Sequence, residues 1–370
     1  MATDWNAQTS DPTTRKLMQG FPPEPDRIVR SDNAGLSGNS FPNTRWAFSH
    51  QREMKSTVNI RRGAAATYAF PKKLRSDIDG LSFTTQEGQQ LTWAQSIDAM
   101  FTDGIVVLHR GTIVYETFRG ALTPHLPHIA FSVTKSFVGL MAAILAHEGK
   151  IDPGALVTRY IPELADTAYG DATVRHVMDM TIGVQYSENY TDANAEVRAY
   201  GIAAGFSPPP PGYAGPDTIF DFLRTLKKQG EHGQAFAYKT CNTEVLSWIV
   251  QRVTDTPMAQ LLSERIWQKL GVEEDAHIIV DRIGTPACGG GMNMALRDLA
   301  RFGEMLRLGG VFNGNEIVPE EVVDEIANGG DRGHVASSSE AVFALDRRRA
   351  WPLGTRSSSS SMPPRSSACS

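Results

Sequence analysis

The chain has 370 residues and a formal net charge of −5. Its length allows one large domain or two of ordinary size, and its 41% of hydrophobic residues are enough for a substantial core. Its mild acidity argues against a nucleic-acid partner, because phosphate binding needs a clustered basic surface. Three sparse cysteines, Cys241, Cys288 and Cys369, predict neither a disulfide framework nor a zinc site, and they fit a reducing compartment.

The N-terminal region predicts no regular element. It has no basic start followed by an apolar run, so no secretory signal is predicted. No stretch of the chain reaches the roughly 18–20 apolar residues of a membrane-spanning helix. We therefore expect a cytoplasmic protein with no membrane partner. Residues 1–45 are rich in Pro, Asp, Asn, Ser and Gly, which predicts an extended arm that lies over the body or is partly disordered.

Regular structure is predicted from residue 92 onwards. Residues 92–101 predict a short amphipathic helix. The runs 104–109 and 112–118 are rich in β-branched residues and predict an antiparallel hairpin with Arg110-Gly111 as its turn.

The segment that begins at Ser132 is apolar nearly all round, which is typical of a central helix, and Gly149 marks its end. Residues 205–217 contain four consecutive prolines and predict a long loop that borders the site. Further helices are predicted at 174–180, 217–229, 243–254, 258–270, 294–308 and 318–326.

Ser132 and Lys135 are three residues apart, so the first turn of the central helix places them on one face. A neutral lysine amine can take the serine proton, which makes the hydroxyl nucleophilic. The Ser132 N–H, at a positive helix N-terminus, can donate to a developing oxyanion. The alternative is a capping serine followed by a solvated lysine. An otherwise apolar helix favours the catalytic interpretation.

A second polar group, residues 236–243, precedes a predicted helix. Tyr238 can relay a proton between the nucleophile and the leaving group, and Asn242 can orient the lysine or hold the substrate amide. The alternatives are a packed tyrosine with a satisfied hydroxyl and an asparagine N-cap. The polar, aromatic loop 185–190 predicts either a pocket wall or a surface turn.

Three further observations argue against a phosphate-binding loop, a metal site and an α/β-hydrolase. Gly289-Gly290-Gly291 lacks the phosphate-loop pattern and instead predicts a close backbone approach beside the pocket. His125 and His128 have no third ligand nearby, so neither a metal nor another cofactor is predicted. The absence of a G-x-S-x-G elbow argues against an α/β-hydrolase.

The pair Ser132 and Lys135, with Tyr238 about a hundred residues later and Asn242 behind it, resembles the serine β-lactamase and penicillin-binding-protein superfamily. The segments 147–153, 179–183 and 238–246 make the match specific. Within the superfamily, the chain is most similar to 6-aminohexanoate-dimer (nylon-oligomer) hydrolases and their esterase-like relatives over residues 40–330.

The resemblance implies an α+β fold, in which an antiparallel β-sheet is flanked by helices and carries an inserted helical region. It places the serine hydrolase domain at 46–330, between the arm at 1–45 and a tail at 331–370. It further implies that Ser132 is the acylated nucleophile and that Lys135 is its general base. By the same resemblance, Tyr238 relays the proton to the leaving amine, while Tyr190 hydrogen-bonds the substrate amide nitrogen.

One departure concerns the C-terminus. The superfamily's third motif, K-T-G or H-x-G on a late strand, has no match, so the C-terminal strands are expected to be missing or frameshifted. The tail at 331–370 is a Ser/Arg-rich, low-complexity segment without periodicity, which predicts disorder. We interpret it as a frameshifted translation, which reading the coding DNA in the other two frames tests.

Three functions remain open from the sequence. The first is hydrolysis of linear amides of the 6-aminohexanoate-dimer type through an acyl-enzyme, and the second is carboxylesterase activity on short acyl esters. The third is a catalytically inactive remnant or binding protein. In the first two the partner is a small-molecule substrate. The oligomeric state is open, with a homodimer as the candidate assembly.

Overall fold

The computed structural model describes residues 5–31, 36–329 and 366–369. The helices in these ranges are α1 (Thr44–Ala47), α2 (Trp93–Ala99), α3 (Val133–His147), α4 (Val174–Met178), α5 (Glu196–Ala203), α6 (Ile219–Thr225), α7 (Thr240–Thr254), α8 (Met258–Arg265), α9 (Leu296–Arg307) and α10 (Glu320–Asn328). Short 3-10 helices lie at Pro25–Arg27, Gln51–Glu53, Ile78–Gly80, Val157–Arg159, Pro162–Leu164 and Trp267–Lys269.

The strands are short. They are β1 (Val29–Arg30), β2 (Leu36–Ser37), β3 (Thr57–Ile60), β4 (Ser82–Thr84), β5 (Gln90–Thr92), β6 (Gly104–His109), β7 (Thr112–Phe118), β8 (His128–Ile129), β9 (Ala276–Ile279), β10 (Met292–Met294), β11 (Val311–Phe312), β12 (Asn315–Glu316) and β13 (Ser366–Cys369). The larger sheets have the orders β3-β9-β10-β8 and β13-β6-β7, and every pairing in them is antiparallel. Helices α3 to α8 lie between β8 and β9 in sequence, so the predicted α+β fold with an inserted helical region is confirmed.

The hairpin of β6 and β7 matches its prediction residue for residue. His109 pairs with Thr112, which leaves Arg110 and Gly111 as a two-residue turn. Both turn residues have left-handed backbone, with φ of 51° and 75°. A turn with two positive φ angles matches the twist of the flanking strands, which explains why the glycine is placed there.

Helix α3 forms the centre of the core, as predicted. Its buried apolar side chains include Phe137, Met141 and Leu145, and Phe137 stacks on Phe302 of α9 with ring centroids 3.9 Å apart. The helix also packs against α7. Gly149, with φ of 72°, follows the C-cap residue and ends the helix. The start of α3 is therefore held by a helix that cannot shift without disturbing the core.

Strand β10 fixes the chain on both sides of the α3 N-terminus. The carbonyl of Met292 accepts a hydrogen bond from the N–H of Ala130 at 2.9 Å. The N–H of Met292 donates to Oγ1 of the buried Thr134 at 3.1 Å. The turn between these contacts carries Ser132. The sequence did not predict β9 or β10, although this sheet positions Ser132.

Three predicted helix boundaries differ from the structure by three residues or more. The helix predicted at 217–229 ends at Thr225, because Leu226 is extended and its carbonyl accepts the N–H of Ala168. The helix predicted to begin at residue 243 begins at Thr240. The helix predicted at 258–270 gives way after Arg265 to a 3-10 turn. The first of these ends is set by a tertiary contact, which periodicity does not reveal.

The described part of the N-terminal arm packs on the body. Leu17, Val29 and Trp46 are buried in a small apolar cluster of their own. The buried Arg45 binds Asp103 and the hydroxyl of Ser10. The domain boundaries and the tail at 331–370, which apart from β13 lies outside the described residues, stay predictions. Within the described ranges, no helix is long and apolar enough to cross a membrane.

The contact between Thr134 and β10 gives a stability prediction. Thr134→Val keeps the shape of the side chain but leaves the buried Met292 N–H without an acceptor. We expect the free energy of unfolding to fall by about 1–3 kcal/mol, as is usual for an unsatisfied buried donor. Urea unfolding measures this change. Thr134→Ser, which keeps the hydroxyl, is the control, and a valine variant more stable than the serine variant would contradict the assignment.

Candidate active site

Ser132 and Lys135 are in direct contact at the start of α3. The Nζ of Lys135 lies 3.1 Å from the Oγ of Ser132. Ser132 occupies the N-cap position, yet its side chain makes no capping hydrogen bond. The alternative of a capping serine with a solvated lysine therefore does not describe this pair. The geometry suits proton transfer between the hydroxyl and the amine.

The residue before the nucleophile has an unusual backbone. Phe131 has φ of 42°, in the left-handed region that bulky side chains rarely occupy. Its ring packs edge-on against Phe48 with centroids 4.9 Å apart, and β10 binds the preceding Ala130. Strain of this kind persists only where the surroundings hold it. The left-handed backbone of Phe131 sets the direction in which Ser132 is presented at the start of α3.

Lys135 has a second partner across the site. Its Nζ donates to the carbonyl of Gly289 at 2.5 Å, and it lies 5.1 Å from the ring centroid of the half-buried Tyr238. A neutral amine has two N–H groups and one lone pair. If one N–H is directed at Gly289, the lone pair is free to face Ser132. The carbonyl thus orients the base as well as holding it.

Glu244, a buried residue of α7, holds the Gly289 peptide from behind. Its carboxylate accepts the N–H of Gly289 at 2.6 Å, the N–H of Cys288 at 3.2 Å and the hydroxyl of Tyr200 at 2.6 Å. Burial raises the pKa of Glu244 to about 7, although these donors and the charge of Lys135 act in the opposite direction. Sequence reasoning assigned no role to this residue.

The glycines at 289–291 make the close approach that the sequence predicts. A Cβ on Gly289 would lie 2.3 Å from Cγ2 of Thr240 and 2.5 Å from the hydroxyl of Tyr200. One on Gly291 would lie 2.8 Å from the carbonyl of Ala287. At Gly290 the nearest atom would be 3.6 Å away, in the backbone of Phe131, which is an ordinary contact.

Tyr190 lies at the edge of the site, with 61% of its surface exposed. Its hydroxyl donates to Oε2 of Glu188 at 3.0 Å. Partial burial and the charge of Glu188 raise the pKa of Tyr190 well above its ordinary value, and Tyr238 is close enough to add to the effect. Tyr190 therefore lies within electrostatic reach of Tyr238, which in turn lies beside Lys135.

Asn242 is occupied by partners other than the predicted ones. It is fully buried, with Oδ1 accepting the hydroxyl of Tyr169 at 2.9 Å and Nδ2 directed at the sulfur of Met180. Both ends are occupied, so the structure argues against the predicted contacts with the lysine or the substrate. The N-cap alternative is also wrong, because Lys239 holds that position.

The assembled groups are those of acyl transfer. The hydroxyl of Ser132 and the amine of Lys135 meet at a helix N-terminus, and the ring of Tyr238 lies beside the amine. Among the described residues, no acceptor is bonded to the N–H of Ser132. That N–H is available to a developing oxyanion, and the positive potential of the α3 N-terminus supports it.

Comparisons with known proteins identify the family of the chain. Residues 92–363 match the profile of the beta-lactamase family. A 6-aminohexanoate-dimer hydrolase of Paenarthrobacter ureafaciens is 36% identical over 291 residues, which are 79% of this chain and 71% of that protein. A solved structure from Bacillus anthracis, described as a candidate 6-aminohexanoate-dimer hydrolase, has a TM-score of 0.75 at 30% identity. The match covers 81% of this chain and 77% of that one.

The contrast between two neighbouring glycines gives a prediction about activity. Gly289→Ala must displace the carbonyl that binds Lys135, because its Cβ has no room, and we expect kcat to fall by about 100-fold. Gly290→Ala adds the same methyl group where there is space and serves as the control. Steady-state kinetics on folded variants measure the effect. An equal fall of kcat in the two variants would show that the Gly289 carbonyl does not position Lys135.

The raised pKa of Glu244 gives a prediction about stability. The pKa rises from 4.5 to about 7 on folding, so the folded protein binds a proton in this pH window that the unfolded chain releases. Stability contributed by this group therefore falls as pH rises from 4.5 to 7. In Glu244→Gln, the fall should be smaller than in the unaltered protein. Denaturant unfolding across this window tests it, with Gln in place of the exposed Glu316 as the control.

Proposed function

Since the chain belongs to the beta-lactamase family and is a serine hydrolase of its fold, we propose that it cleaves linear amide bonds of the 6-aminohexanoate-dimer type through an acyl-enzyme on Ser132. The observation that carries the proposal is the 3.1 Å contact between Lys135 Nζ and Ser132 Oγ at the start of α3. The substrate class is supported by the names of the two relatives described above.

In the proposed reaction, the amine of Lys135 takes the hydroxyl proton while Ser132 Oγ bonds to the carbonyl carbon. The carbonyl oxygen becomes an oxyanion, to which the N–H of Ser132 donates. The C–N bond then breaks, and the leaving nitrogen receives the proton from Lys135 through the hydroxyl of Tyr238. The products of this half-reaction are a free amine and an ester of Ser132.

Water completes the cycle. Its oxygen bonds to the acyl carbon while a proton passes to Lys135, and the bond between that carbon and Ser132 Oγ breaks. Ser132 recovers a proton, and the acid leaves. The overall reaction consumes one water and yields one carboxylic acid and one amine. Apart from the substrate and this water, the balance requires no group outside the chain.

The two side chains that act on the proton should be equally necessary. Ser132→Ala and Lys135→Ala should each lower kcat/KM for the 6-aminohexanoate dimer by at least about 1000-fold, because residues that act as a unit fail together. A fluorophosphonate followed by intact-mass measurement should give one adduct, which Ser132→Ala abolishes. Replacing the surface residue Lys150 by alanine is the control and should leave the rate unchanged.

Each other outcome identifies a different function. Adduct formation with turnover of short acyl esters, but none of the amide dimer, would make the protein a carboxylesterase. Folded protein that forms no adduct would be an inactive remnant or a binding protein. The cytoplasmic location and the homodimer stay predictions, which cell fractionation and light scattering test directly.

A further inference from the structure

The turn that carries Tyr238 is bound to one neighbouring segment on both of its sides. Before the tyrosine, the N–H of Ala237 donates to the carbonyl of Met180 at 2.8 Å. After it, the Nζ of Lys239 donates to the carbonyl of Val184 at 2.5 Å. The first contact joins two main chains, whereas the second depends on a single side chain. Lys239 therefore closes the turn around Tyr238.

Lys239 also occupies the N-cap position of α7, for which its side chain is unsuited. An N-cap side chain normally accepts a helix N–H through an oxygen, and an ammonium group has no acceptor. A positive charge is moreover unfavourable at the positive end of the helix dipole. The N–H of Thr240 is instead accepted by the carboxylate of Glu188 at 2.5 Å. A residue that violates the local preference of its element is expected where function requires it.

The carbonyl that accepts the amine of Lys239 belongs to a firmly held piece of chain. Val184 is fully buried and forms an antiparallel β-bridge with Lys228. The N–H of the next residue, Gln185, donates to the carbonyl of Lys227 at 2.9 Å. Because Val184 is fixed in this way, the contact restrains the turn that carries Tyr238 more than it restrains Val184.

We infer that Lys239 is a positioning residue for proton delivery to the leaving group, because it holds the turn that places Tyr238 beside Lys135. The ring of Tyr238 lies 5.1 Å from the Nζ of Lys135. The inference rests on the proposed function, in which the C–N bond breaks and its electron pair stays on nitrogen. The phenol gives that nitrogen its proton and takes one from Lys135, so the turn must keep the phenol in reach of both.

This role depends on the chemistry of the leaving group. An amide nitrogen or an alkoxide oxygen is a poor leaving group and must be protonated as its bond to carbon breaks. A p-nitrophenolate leaves as a stable anion and needs no proton. A displaced phenol should therefore slow the first two reactions and spare the third.

A simpler interpretation is that Lys239 only joins two segments of the fold. In that case its loss would lower the stability of the protein, or would slow acylation by every substrate to the same extent. The leaving group would then make no difference, and the two interpretations can be separated by kinetics.

The experiment measures kcat/KM, which reports acylation, for three compounds that share the 6-aminohexanoyl group: the amide dimer, an alkyl ester and the p-nitrophenyl ester. Lys239→Met keeps the length of the side chain without its donor. For the amide and the alkyl ester, kcat/KM should fall roughly 10- to 100-fold, the effect of a misplacement of about 1 Å. For the p-nitrophenyl ester it should change by less than about 3-fold.

Two further variants serve as controls. Lys239→Arg keeps a donor for the carbonyl of Val184 and should stay within about 3-fold of the unaltered protein for all three compounds. Lys227→Met removes an exposed amine from the adjoining segment and should leave all three rates unchanged. Adding Lys239→Met to Tyr238→Phe should lower the amide rate no further, because the lysine acts through the phenol.

The outcomes separate this inference from the proposed function. Equal falls for the three compounds in folded Lys239→Met, or a further loss in the double variant, would overturn the inference, while adducts on Ser132 would still support acyl transfer. If Lys239→Met does not fold, Lys239→Gln, whose donor is shorter, is judged by the same criterion.

Failure of the proposed function has its own signature. An unaltered protein that turns over both esters but not the dimer would contradict the amide substrate, and the comparison of the two esters would still decide the inference. An unaltered protein that reacts with none of the three compounds and forms no fluorophosphonate adduct would contradict the proposed function, and the inference would fall with it.

Discussion

The placement of Lys135 between Ser132 and the carbonyl of Gly289 is the constraint on which the rest of the site depends. The two contacts of its Nζ join parts of the chain that are 154 residues apart. Both must hold at once, since a base that drifts by an ångström loses much of its effect. The core helix α3, the three-residue strand β10 and the carboxylate of Glu244 each remove one way in which the lysine could drift.

The cost of this arrangement is electrostatic. Glu244 is buried with its carboxylate close to Lys135, and burial opposes its ionisation. Three donors offset part of that penalty, and Tyr200 supplies one of them. A hydrophobic side chain at position 244 would avoid the desolvation penalty of a buried carboxylate. It would also leave the N–H groups of Cys288 and Gly289 without an acceptor and the peptide free to rotate.

The features that could be predicted from the sequence depend on residues that are close together in the chain. Neighbouring residues in the sequence determine three of these features. They are the hairpin of β6 and β7, helix α3, and the pairing of Ser132 with Lys135 within one helical turn. Strand β10 has only three residues, too few for a period to show. The contact of Asn242 with Tyr169 was not predictable, because the two residues are 73 positions apart in the sequence. The roles of Glu188 and Glu244 could not be predicted, because each carboxylate accepts backbone N–H groups, which the sequence does not distinguish from any others.

The acceptor for Lys135 is a main-chain carbonyl, and this has a genetic consequence. No codon change can delete a peptide oxygen, so drift at position 289 cannot remove the group that orients the base; it can only push that group aside. Finer variation in how that carbonyl is held can arise in the layer behind, at Glu244 and Tyr200. A laboratory evolving this protein towards new substrates would find its adjustable positions there, one step removed from the chemistry.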